Sequence, residues 1–208
     1  MMWMRMPGQT WTDAGAAFVG MWVVMMAVMM LPSLVPVLWR YRRTIDDRLI
    51  ALVGAGYLLV WAVLGTIVFP LGVASMELQM REPSLARLAP VAIGAAVLLA
   101  GVVQLTPWKA RHLALCRDAP FHGCAPRRGA GAAWRHGLQL GVLCVRSCAG
   151  LTAVLLALGV MDVRVMAAVT AAVSAERLAP RGAAVARVVG VIVVATGLGQ
   201  LARAAGLG

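Results

Sequence analysis

The feature that most constrains this chain is the stretch from Gly137 to Pro180. It holds an apolar run long enough to cross a bilayer, a short hinge at Met161-Asp162, and a second, shorter apolar run. A helix crossing the hydrocarbon core needs about 20 predominantly apolar residues, and comparable runs recur along the chain. The pattern predicts an all-α fold, a polytopic helical membrane bundle of about six transmembrane helices, organised as one membrane domain over residues 1–208. The expected spans are about 17–39, 49–70, 88–105, 138–160, 163–179 and 185–204. Residues 71–87 read as an exposed connection. Residues 106–136 read as a cytoplasmic loop that opens with a short interfacial helix, Thr106 capping it and Pro107 at its first position.

Composition supports this and excludes a soluble domain: 62% of residues are hydrophobic and 13% charged. The net charge of +11 resembles a nucleic-acid footprint, but the basic residues lie between apolar runs, so no nucleic-acid partner is expected. Loops after spans one, three and five hold thirteen Lys and Arg residues, against five on the opposite side. By the positive-inside rule both termini face outward from the cell inner (plasma) membrane. Residues 1–16 carry a single basic residue, Arg5, and do not read as a signal-peptide n-region. The four cysteines show no extracellular disulfide pattern and are expected reduced.

Candidate chemistry sits within the apolar runs. On span one, Met21, Met25 and Met29 recur every four residues and share a helix face, with Met30 adjacent. Thioethers favour soft ions, copper(I) above all; methionine also fills gaps in helix packing without any ligand. On span four, Gly137, Gly141, Cys144, Cys148 and Thr152 form one stripe. Such a stripe lets two helices approach closely, and its two thiols, one turn apart, could also clasp a soft metal with the methionines.

Arg146 points roughly opposite the thiols, either snorkelling to the cytoplasmic interface or pairing with Glu176. Glu176, beside Arg177, is either a solvated salt-bridge partner or a proton or cation group near the inner mouth. His112 and Cys116, one turn apart on the interfacial helix, are weaker cytoplasmic metal candidates, followed in the loop by His122 and Cys124. No Walker loop, dinucleotide fingerprint, HExxH motif or nucleophile–base set is present, so no enzymatic activity is expected.

Many of these residues together resemble a prokaryotic family of uncharacterised polytopic proteins known as predicted metal-binding integral membrane proteins. The likeness covers nearly the whole chain. It runs through Trp22, Met25 and Met29-Met30-Leu31-Pro32, Gly56-Tyr57-Leu58 to Trp61, and Gln104 to Pro107 with Lys109. It continues through Cys116-Arg117, Gly141 with Cys144 and Cys148, Gly159-Val160-Met161, and Glu176-Arg177 with Pro180. Departures fall at His112, where the family has cysteine, at Asp162, where it has asparagine, and at Arg146-Ser147-Cys148-Ala149, where it has Gly-Cys-Cys-Trp.

The resemblance implies metal binding. The leading expectation is a membrane protein that binds, and transports or delivers, a soft transition metal, copper first, through Met25, Met29, Met30, Cys144 and Cys148. The alternative is a structural or accessory membrane subunit without metal, packed against a membrane protein partner or a second copy. The lipid bilayer is a partner in both.

Overall fold

The structure, a computed structural model, describes residues 8–41, 46–118 and 129–206. The described residues form seven helices and no strand: α1 (Trp11–Tyr41), α2 (Asp47–Arg81), α3 (Pro83–Leu105), α4 (Pro107–Asp118), α5 (Ala130–Leu158), α6 (Val163–Leu178) and α7 (Gly182–Ala204). The all-α helical bundle is thus the fold. Five helices, α1, α2, α3, α5 and α7, are long and apolar enough to cross a membrane. Apolar side chains such as Val24, Val28, Ile67, Leu99, Val188 and Ile192 stand exposed on the bundle's outside. A water-soluble monomer does not carry so broad an apolar surface.

Proline and its neighbours set the breaks. Residues before proline are pushed out of the helical region, and Glu82 is extended (φ −121°, ψ 96°) ahead of Pro83, as is Thr106 (φ −76°, ψ 152°) ahead of Pro107. The Lys109 amide donates to Thr106 Oγ1 at 3.4 Å, capping α4 as its sequence indicates. At the start of α1, Thr10 and Asp13 exchange reciprocal bonds of 3.2 Å, a capping box with aspartate in the third position.

Several expected boundaries move: α3 begins at Pro83 and α5 at Ala130, so residues 130–136 are helix and not loop. Residues 71–81, expected as a connection, are largely exposed but continue α2 as helix, because no helix-breaking residue intervenes between Gly72 and Pro83. The fifth expected span, α6, has only 16 residues. At 1.5 Å per residue it is about 24 Å long, short of the roughly 30 Å hydrocarbon core.

Close-packed glycine seams join the long helices. α3 and α7 run antiparallel: a Cβ on Gly101 would meet Val194 N at 2.7 Å, and one on Gly197 would meet Leu98 N at 2.6 Å. α2 and α5 run parallel, Gly137 lying against the Val53 carbonyl and Gly141 against Val60. Small residues at such seams let backbones approach and gain van der Waals contact. The stripe on α5 is therefore used within the chain, against α2. α1 lies across α2, where Trp22 Nε1 donates to the Trp61 carbonyl at 3.1 Å. α5 is the central helix: 56% of its apolar window is buried, against 28–33% for the other four.

Candidate metal centre

The α5–α6 hairpin builds the site. Gly159 takes a left-handed φ of +124° at its turn, a conformation suited to glycine. Asp162 then caps α6, accepting from the amides of Arg164 at 2.8 Å and Val165 at 3.4 Å. Cys144 lies fourteen residues before the end of α5, and Arg177 fourteen residues after the start of α6. In an antiparallel hairpin these positions are level, each about 21 Å from the turn.

Arg177 Nη2 accordingly donates to Cys144 Sγ at 2.9 Å, to Ser147 Oγ at 3.1 Å and to Cys148 Sγ at 3.4 Å. Two further helices close on Cys144. Tyr57 Oη of α2 is 3.0 Å from its sulfur, and Met30 Sδ of α1 is 3.8 Å away. Tyr57, Met30, Cys144, Ser147 and Cys148 are all buried. Two thiols and a thioether thus converge inside an apolar bundle, a soft donor set of the kind copper(I) prefers.

A second polar cluster adjoins it. α4 turns Lys109 inward, against the outward orientation expected of a basic residue on an interfacial helix. Its Nζ donates to the Ser147 carbonyl and pairs with Glu176 Oε2 at 2.7 Å, both side chains buried. Gln104 Nε2 of α3 donates to Glu176 Oε1 at 2.5 Å, and Arg117 Nη1 donates to the Glu176 carbonyl at 3.3 Å. Glu176 is therefore neither solvated nor paired with Arg146. A carboxylate in a dry bundle needs a cation and donors around it, and α3 and α4 supply them. Arg146 is exposed on the outer face of α5.

A family model described as a copper chaperone, PpoB2, matches residues 19–200. The chain belongs to this copper chaperone family. Copper is the metal such a protein handles, which agrees with the sulfur donors; the likeness read from the sequence holds as to a metal-related family, and not specifically for the uncharacterised membrane family named there. No curated protein and no solved structure matches the chain. The matched region contains every residue of the site just described.

Against that background the sequence-derived candidates divide. Cys144, Cys148 and Met30 meet in one place. Met25 and Met29 are buried in the same core cluster as the thiols, as is Met26; Met21 is only partly buried. The buried face of α1 is centred between the Met25/Met29 and Met26/Met30 rows, so it is Met30 that brings its sulfur to Cys144. His112 lies against Trp108 with ring centroids 4.3 Å apart and the rings tilted by 36°, and donates from Nδ1 to the Trp108 carbonyl at 2.9 Å.

Cys116 is a partly buried free thiol. Among the described residues no three His, Cys, Asp or Glu side chains group to hold a metal; His122 and Cys124 lie outside the described residues. Arg177, Tyr57, Lys109 and Gln104 were not singled out as functional. For Arg177 a signal existed, since equal counting from the hairpin turn sets it beside Cys144. For the other three the signal was their place in the family pattern alone, because they arrive on separate helices and no spacing rule brings them to the thiols.

Proposed function

We propose that this protein is an integral membrane copper(I) chaperone that holds one ion between Cys144, Cys148 and Met30 within the bundle. The observation that carries the reading is the convergence of three sulfurs, from α1 and α5, in an apolar interior. Met25 and Met29 lie along the same helix and would form the continuation of a thioether track toward Met30. Thiolates are the ligating form of cysteine, and Arg177 places a positive charge against both sulfurs. Lys109 and Glu176 balance each other beside the site and fix α4 and α6 around it.

The copper is cargo, and the protein's task is to accept, hold and release it at membrane depth. Its placement in the cell inner membrane with both termini outside rests on the asymmetry of the basic loops. The chain uses its small-residue stripes against its own helices, which favours this reading over that of an accessory subunit awaiting a partner. The test is metal analysis of protein purified under reducing conditions without chelators. Copper at about one equivalent, absent from a Cys144→Ser/Cys148→Ser variant, is the expected result. Wild-type protein that neither retains copper nor takes up added copper(I) would sink the reading.

A further inference from the structure

The proposed copper site contains one residue whose role a sulfur-only description leaves out. Arg177 donates to both thiols and to the hydroxyl of the serine between them. Among the described residues, the other charged or titratable groups near the site are these. Lys109 and Glu176 form a closed pair. Tyr57 is a phenol, Met30 a neutral thioether, and Cys116 a thiol on α4. Arg117 reaches only the Glu176 backbone carbonyl, and Arg146 faces away from the bundle. The fixed charge against the sulfurs is that of Arg177.

We infer that Arg177 is a specificity-determining residue that restricts the thiol pair to a monovalent soft cation. The inference rests on the copper reading of the same site and adds to it how the ion is selected. Two ligating thiolates carry two negative charges, and the guanidinium neutralises one. A monovalent ion such as copper(I) neutralises the other, leaving a neutral assembly in the bundle. A divalent thiophilic ion, zinc or cadmium, leaves one net positive charge there. Two thiols without the arginine make the opposite choice, since they become neutral with a divalent ion and stay negative with a monovalent one. A unit charge at membrane depth carries a cost that corresponds to roughly a hundredfold in an equilibrium constant. Arg177 therefore inverts the charge preference that a dithiol has by itself.

The experiment compares copper(I) and cadmium(II) affinities of the detergent-purified full chain. Copper(I) is measured by competition with a chromophoric chelator, and cadmium(II) by its thiolate charge-transfer absorption. The wild type should favour copper(I) over cadmium(II) more strongly than dithiothreitol does under the same conditions. Arg177→Met should shift the ratio toward cadmium by roughly ten-thousandfold, about a hundredfold for each of the two unit charges exchanged, and Arg177→Lys, which keeps the charge, should hold the wild-type ratio.

An Arg177→Met protein that binds copper(I) with the wild-type ratio overturns the role of Arg177 and leaves the copper reading intact. So does a lysine variant shifted as far as the methionine one. If Arg177→Met does not fold, a wild-type ratio no higher than that of dithiothreitol overturns the inference, and a higher ratio retained by Arg177→Lys supports it. A wild type that binds no copper(I) removes the copper reading, and the inference with it.

Discussion

Arg177 Nη2 stands 2.9 Å from Cys144 Sγ across 33 residues of chain, and the hairpin between them sets that register. Both residues lie the same number of positions from the turn, so α6 needs only its short length to deliver a guanidinium to the thiols. The C-terminal end of a helix also favours a cation through its dipole, and Arg177 sits in the last turn of α6. With its 16 residues, α6 is thus long enough to return the chain and to end at the sulfurs.

The thiols and Met30 should act as one unit. Cys144→Ser/Cys148→Ser is expected to remove bound copper while leaving helical circular dichroism unchanged, because serine is close to cysteine in volume. Adding Met30→Leu should cost little more, since residues of one site are not additive. Metal analysis of the three proteins checks this; a triple variant that loses copper when the double does not would mean that Met30, and not the thiols, holds the ion.

Copper(I) affinity should fall as pH drops, because cysteine must lose its proton to ligate. Competition titrations at pH 8 and pH 6 read the slope. Affinity that stays flat over that range would mean that no thiol proton is released on binding.

The Lys109–Glu176 pair predicts an asymmetry in stability. Lys109→Met alone strands a carboxylate in the bundle and should cost about 3–5 kcal/mol, whereas Lys109→Met with Glu176→Leu should cost markedly less. Thermal unfolding in detergent measures both. Equal losses in the single and double variants would show that Glu176 does not depend on Lys109.

The α3–α7 seam makes a backbone-level prediction. Gly101→Ala must push its methyl against the Val194 amide and should destabilise by about 1–3 kcal/mol. A Cβ on Gly54, in the interior of α2, meets nothing within 4 Å, so Gly54→Ala should stabilise by about 0.5–1 kcal/mol. The same unfolding measurement serves, and a Gly101→Ala protein as stable as Gly54→Ala would mean the seam is looser than described.

Orientation can be read with reporter fusions. A reporter active only outside the cytoplasm should be silent when fused at Gly129 and active at Gly206. The opposite pattern would invert the topology drawn from the basic loops.

The sequence alone determined the features that depend on neighbours along the chain. The apolar runs specify helices because backbone bonds in a dry environment must be satisfied within the segment. Pro83 and Pro107 mark breaks because proline constrains the residue before it. Cys144 and Cys148 share a face because they are one turn apart.

Only the tertiary structure decided what meets those thiols. Of Met25, Met29 and Met30, all candidates by sequence, Met30 is the one whose sulfur lies 3.8 Å from Cys144, because packing against α2 and α6 fixes how α1 is rotated, and a helix whose apolar residues run all round does not encode its own rotation. Glu176 and Lys109, each ordinary at an interface, became a buried pair when α4 folded inward over the end of α6. Burial converts such charges from solvated groups into obligate partners, and that choice is made by the assembled bundle.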